Sequence, residues 1–453
     1  LLLFFSNPNR LAHDQIERKL FQINYEDNIS YADDYLYGNP KRGIVDNYFA
    51  FKTLATAGKI IGSDEILHWL LVPVVFVIFT IGFFELSLYL TGNFLISFLV
   101  ALFSNLHVPH VFTAEWGLPG PSELDPWVFY QSLLPLIFLL FYRGVAMGSR
   151  RLLFASLVFA GGLGNIHIIY AFYTVGTFLL TYLLLNKPIR KHLPLTVALG
   201  FTAMLLALPF LIQHGRSSPP LETSFDPNDP AVMSAIRLSA FHVTAAGRLV
   251  NAKVWFTNYW YTIFPIAAIA LFTATFVIRK HFPRLKFFNL FSQKFVIAIV
   301  VFNVSFSLTQ FVRLYVFHQL PFWNEPRGFQ LIYLILYPYL GIFLLAIAQS
   351  FGRRMTFSQQ LAAVGCAAAL AGASLYRLTP WLQQRYRQHI IPRYSYQTCD
   401  ANLYRVFNAL PLPPGLVLQD PNAWSAFRIC TRRGVVVQNR DKAFAYSLGT
   451  ETL

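Results

Sequence analysis

The sequence predicts an α-helical polytopic membrane protein of about 10–11 transmembrane helices, closed by a small α/β domain. Three observations carry that prediction. Of the 453 residues, 55% are hydrophobic, 17% aromatic and only 13% charged, whereas a soluble domain carries about 25% charged residues. Apolar runs approaching the ~20 residues needed for a helical crossing recur from about residue 66 to residue 379. The connections between them alternate in sign. Arg143, Arg150, Arg151, Lys187, Arg190, Lys191, Arg279, Lys280, Arg284, Lys286, Lys294, Arg353 and Arg354 fall in four loops without Asp or Glu, and every acid except Glu85 falls on the other side. Loops rich in Lys and Arg stay cytoplasmic during insertion, so this asymmetry predicts orientation as well as topology.

In order, Leu1–Phe5 reads as the exit of a span that begins upstream, so the chain reads as a fragment; nothing marks a natural end at Leu453. Spans are then expected at 66–90, 94–106, 127–142, 151–164, 166–185, 193–213, 257–278, 295–312, 328–350 and 360–379. The segments 94–106 and 151–164 are short for full crossings and read as half-buried or broken helices. This divides the chain into a transmembrane domain, 1–379, and a small domain, 380–453. In the latter, Gly415-Leu416-Val417-Leu418-Gln419 and Gly434-Val435-Val436-Val437-Gln438 have the apolar, β-branched character of short buried strands, and Asn402–Leu410 reads as a helix.

The regions 6–65, 107–126, 214–256, 313–327 and the tail after 380 are all expected on the non-cytoplasmic side. The net charge of +15 is assigned to the cytoplasmic loops and to anionic headgroups, not to nucleic acid. Three cysteines without CxxC spacing argue against a structural zinc or redox motif. Cys399 and Cys430 both fall in the tail, where an oxidising compartment permits a disulfide.

Chemistry is expected on the acidic side. Nine acids follow the first span, among them Asp14, Asp33 and Asp34, and the loop 107–126 adds Glu115, His107 and His110 without a single Lys or Arg. Carboxylates in such a place act as general bases or hold a divalent metal ion; for any one of them, solvation of a loop is the plainer reading. His107 and His110 have an i, i+3 spacing that suits a metal, although Pro109 works against a regular helix. His167 follows Gly161-Gly162-Leu163-Gly164-Asn165 and is read as either a ligand or a hydrogen-bonded packing histidine in a helical hairpin. Arg313 and Arg327 bracket the loop Leu314–Pro326. A guanidinium at the mouth of a span suits a lipid phosphate, with an interfacial anchor as the alternative. No nucleophile elbow, P-loop, dinucleotide fingerprint or HExxH occurs.

Taken together, His13-Asp14-Gln15, Tyr31-Ala32-Asp33-Asp34-Tyr35-Leu36, Asn165-Ile166-His167, Glu325-Pro326-Arg327, Phe427-Arg428 and Arg433-Gly434-Val435-Val436-Val437 occupy an order of parts that resembles the GT-C class of integral membrane glycosyltransferases. More narrowly, it resembles uncharacterised bacterial multi-pass proteins built on that plan. The resemblance implies a bacterial cytoplasmic membrane location and transfer of a sugar from a polyprenyl-phosphate donor to an acceptor on the outer face. It implies Asp14 as base with Asp33 or Asp34 as competitor, Glu115 as second acid, and Arg327 with Arg313 at the donor phosphate. The paired Asp-Asp or Asp-Glu common after the first span of such enzymes is absent, and Asp14 stands alone. The alternative is a non-enzymatic lipid-handling or transport protein on the same scaffold. Mid-span ionisable groups would favour it, and the chain has almost none.

Overall fold

The computed structural model describes residues 64–106, 126–217, 283–317 and 327–351, with a few positions between 53 and 61. All regular structure among the described residues is helical. The elements are α1 (Asp64–Thr91), α2 (Phe94–Leu106), α3 (Pro126–Ala146), α4 (Arg150–Gly162), a 3-10 turn (Leu163–Asn165), α5 (Ile168–Leu185), α6 (Ile189–Leu206), α7 (Leu208–Ser217), α8 (Pro283–Tyr315), a second 3-10 segment (Arg327–Ile332) and α9 (Tyr333–Phe351). Five stretches, Pro73–Thr91, Val128–Ala146, Ile168–Leu185, Leu285–Phe306 and Gly328–Leu345, are long and apolar enough to cross a bilayer. The protein is therefore an α-helical, multi-pass membrane protein. The expected α/β domain, the first span and the spans at 257–278 and 360–379 lie outside the described residues.

Ring contacts fix the helix directions. Along α5 the sequence Phe172, Phe178 meets Phe302 and then Phe295 of α8, and along α3 Phe138 and Tyr142 meet Phe295 and then Phe288. Thus α8 runs against both. In α9, Tyr337 lies on Phe83 of α1 and Tyr339 bonds Asn289 of α8, while Gly328 lies beside Asn303. Thus α9 runs with α1 and against α8. All of Arg143, Arg150, Arg151, Lys187, Arg190, Lys191 and Lys286 consequently gather at one end of the bundle, the basic end. The chain termini of α3, α5 and α9 that precede them in sequence start at the far end.

The core where α3, α5 and α8 meet is aromatic. Phe141 stacks on Phe178 with centroids 4.2 Å apart, and Phe138, Phe291 and Phe295 close around the pair with all five rings fully buried. Offset and edge-on geometries of this kind add about 0.5–1.5 kcal/mol per pair beyond simple burial. The outward faces are also apolar: Val77 and Ile81 on α1, Phe98 and Leu102 on α2, Val197 and Phe201 on α6, and Val300 and Val304 on α8 are exposed. In water such surfaces would be a liability; here they meet lipid tails.

Two boundaries differ from expectation. The basic stretch 283–294, expected as loop, is the first third of α8, a helix of 33 residues about 50 Å long. Leu285, Phe288, Phe291 and Phe295 recur at helical spacing and are all buried, which holds this stretch against α3. The expected span 193–213 is two helices broken at Ala207, because Pro209 lacks the N–H that would continue α6 and sits instead in the first turn of α7. The segments expected to be short are short: α2 and α4 have 13 residues each, about 20 Å against a hydrocarbon core of ~30 Å.

The α4–α5 hairpin is locked onto α6. An added Cβ at Gly161 would lie 2.5 Å from the Ala203 carbonyl oxygen, and one at Gly164 would lie 3.0 Å from Ala207 Cβ; only residues this small let the backbones approach so closely. Asn165 then braces the α6–α7 break. Its Nδ2 donates to the carbonyls of Leu206 (2.7 Å) and Gly162 (2.9 Å), and its Oδ1 accepts from Phe210 N–H (3.0 Å). Backbone groups freed by the break are thereby satisfied inside the bundle. Asn165→Ala is expected to cost about 1–3 kcal/mol, read as a lower melting midpoint in detergent, whereas Asn186→Ala, whose amide bonds only one carbonyl of its own helix at 2.8 Å, should cost less.

Candidate functional site

Polar side chains buried in an apolar bundle must find partners, and at the far end they find one another. Gln131, one turn into α3, Tyr170, in the first turn of α5, and Gln330, in the 3-10 segment, form a closed triangle. Gln131 Nε2 donates to the Tyr170 hydroxyl oxygen at 2.9 Å and to Gln330 Oε1 at 3.1 Å, and the Tyr170 hydroxyl donates to Gln330 Oε1. All three side chains are buried. Tyr130 stacks on Tyr170 with centroids 5.8 Å apart and directs its hydroxyl to the Ala160 carbonyl.

The 3-10 segment reaches this triangle because of Gly328. A Cβ there would lie 2.5 Å from the Asn303 amide nitrogen and 2.6 Å from the Tyr173 ring. The backbone between Arg327 and Gln330 can thus lie directly on α5 and α8. Two polar atoms at this level, Gln330 Nε2 and Asn303 Oδ1, are buried and make no hydrogen bond among the described residues, although Asn303 Nδ2 donates to Ile299 O at 2.7 Å. One is a donor and the other an acceptor. The cluster is uncharged, so it can orient a hydroxyl or phosphate oxygen but supplies no carboxylate to take a proton. Among the described residues no three His, Cys, Asp or Glu side chains come together.

The expected site residues divide as follows. His167 is buried at the tip of the α4–α5 hairpin, in extended conformation as the N-cap of α5, with Nδ1 accepting from Tyr170 N–H at 3.3 Å and its ring 4.8 Å from that of Tyr170. The imidazole thus caps α5, and it also sets Tyr170 in place. Arg327 opens the 3-10 segment, three residues before Gln330, at the far end. Arg313 lies in the last turn of α8, ten residues beyond Asn303 and therefore about 15 Å further along the helix axis. The two arginines thus stand at different depths along α8. Asp14, Asp33, Asp34, His107, His110 and Glu115, including the donors expected for a metal ion, lie outside the described residues. No family model and no curated protein matches the chain.

Gln131, Gln330 and Asn303 were not among the expected residues. For Gln131 the signal in the sequence is a lone amide inside an apolar helix, since it is the one amide side chain in Pro126–Ala146. Such a group marks a buried hydrogen-bond partner elsewhere in the bundle, though it does not identify that partner.

Proposed function

We propose that the protein is a GT-C-like membrane glycosyltransferase, with ten or eleven crossings in all and a small α/β domain after residue 380. It would transfer a sugar from a polyprenyl-phosphate donor to an acceptor at the non-cytoplasmic face. The observation that carries this reading is the polar triangle Gln131–Tyr170–Gln330 at the far end of an otherwise apolar bundle. The acid-rich segments 6–65 and 107–126 join the bundle at that end, and Arg327 stands there three residues from Gln330. In this reading the donor phosphate is held by Arg327, with Arg313 nearer the surface, and the sugar hydroxyls are oriented by the uncharged amides. Asp14 takes the acceptor proton, with Asp33 or Asp34 as the competing base and Glu115 as second acid. A cation beside the departing phosphate stabilises the charge that develops as the glycosidic bond breaks.

Two measurements test it. In membrane vesicles supplied with radiolabelled polyprenyl-phosphate sugars, Asp14→Asn is expected to abolish transfer without lowering the amount of protein, and Arg327→Ala to raise the donor KM more than it lowers kcat. Transfer unchanged by Asp14→Asn, Asp33→Asn and Asp34→Asn alike would end the catalytic assignment. For sidedness, cysteines placed at Gly120 and at the exposed Lys286, in a background lacking Cys366, Cys399 and Cys430, should label from outside intact cells at 120 alone. Label at 286 and not at 120 would invert the orientation.

A further inference from the structure

Among the described residues, the basic end carries a large excess of positive charge. Six cations fall between Arg143 and Lys191, and there is no Asp or Glu anywhere from residue 126 to residue 217. Four of the six, Arg150, Arg151, Arg190 and Lys191, stand in the first turns of α4 and α6, and all four are exposed. A helix N-terminus bears partial positive charge, so a cation there is unfavourable and an anion favourable. Two such termini with two cations each add to the penalty if they lie side by side.

They do lie side by side. The helices α4 and α6 run parallel, with Gly161 against Ala203 and Gly164 against Ala207. The same offset carried back along both helices sets Arg150 level with His192 and Arg151 level with Leu193. Tyr182, near the end of α5, fixes where the start of α6 lies, its hydroxyl 3.1 Å from His192 Nδ1. The two termini differ in capping. Ser149 Oγ accepts from Leu152 N–H at the start of α4, whereas Pro188 has no side-chain group with which to cap α6. One to two turns further in, the exposed side chains become large and apolar: Phe154 on α4, and Leu193 and Val197 on α6.

We propose that the paired N-termini of α4 and α6, with Arg150, Arg151, Arg190 and Lys191, bind the phosphate headgroup of an anionic phospholipid whose acyl chains lie along Phe154, Leu193 and Val197. The apolar surface directly beneath the cations selects a lipid over a soluble anion, and planar guanidinium forks from two helices suit a phosphate diester. Juxtamembrane cations each add about 1 kcal/mol of attraction to an anionic leaflet. The site is at the opposite end of the bundle from the polar triangle and does not rest on the transferase reading.

The test uses the full chain reconstituted in nanodiscs of mixed phosphatidylglycerol and phosphatidylcholine, with the lipids retained after extraction counted by native mass spectrometry. The wild-type protein is expected to enrich phosphatidylglycerol, and Arg150→Gln/Arg190→Gln, which removes two such cations, to lower that enrichment about thirtyfold. The control Arg284→Gln/Lys286→Gln removes the same charge from the same end, in the first turn of α8, and should leave enrichment intact. Because Arg150 and Arg190 are exposed, a monodisperse elution profile for both variants is expected. Equal loss in the two double variants would reduce the effect to bulk charge, and no enrichment in the wild type would exclude the site. Displacement of the retained lipid by excess inorganic phosphate would make it a soluble-anion site, which also overturns the proposal.

Discussion

Gly161→Val is expected to leave little folded protein, while Gly162→Val, one residue away, is expected to be tolerated. At Gly161 the added carbon would meet the Ala203 carbonyl oxygen at 2.5 Å and Ala203 Cα at 2.6 Å, and these are backbone atoms of a helix that cannot turn aside. The two helices would have to separate, which also pulls Gly164 from Ala207 and Asn165 from the carbonyl of Leu206. Overpacking alone costs about 1–3 kcal/mol, and the lost brace adds a comparable amount. At Gly162 nothing lies within 4 Å of the added carbon. The check is the yield of monodisperse protein and its melting midpoint in detergent. Equal behaviour of the two variants would show that the close approach of α4 and α6 is not what holds the hairpin.

The second large effect is expected at the polar triangle. Gln330→Leu removes the acceptor shared by Gln131 and Tyr170, two hydrogen bonds at once. Interhelical hydrogen bonds in membranes average about 0.6 kcal/mol and reach about 1.7, so a loss of about 1–3 kcal/mol is expected. The double variant Gln131→Leu/Gln330→Leu should be less destabilised than the two single losses summed, because one variant removes the partner that the other would have left. An assay of the proposed sugar transfer separates two roles. If the amides orient substrate, the double variant recovers stability but not transfer; if they only pin the helices, both return together.

Much of the fold was legible in the sequence, for a physical reason. A crossing helix is demanded by composition, and α1, α3, α5 and α9 stand within a few residues of the apolar runs that predicted them. The break at Ala207 was hidden by the apolar character on both sides of it, although Pro209 was its signal. The first third of α8 was hidden by Lys286 and Lys294: charge suggested a loop, while Leu285, Phe288, Phe291 and Phe295 at helical spacing carried the helix. At the candidate site, His167 and Arg327 could be picked out because a histidine or arginine beside apolar sequence is conspicuous. Gln131 and Gln330 could not, since their meaning lies in a contact between residues 199 positions apart, and no local pattern encodes it.

The 3-10 segment Arg327–Ile332 has a geometric consequence of its own. A 3-10 helix rises about 2.0 Å per residue with three residues per turn, and an α-helix 1.5 Å with 3.6. If these six residues wound into α-helix continuous with α9, Arg327 would be drawn in by about 3 Å and carried about 120° around the helix axis. Gly328 would leave the Asn303 amide and Gln330 would leave Tyr170. The segment thus couples winding to position like a screw thread: one change of pitch moves Arg327 and disassembles the triangle in a single step, with α9 itself stationary.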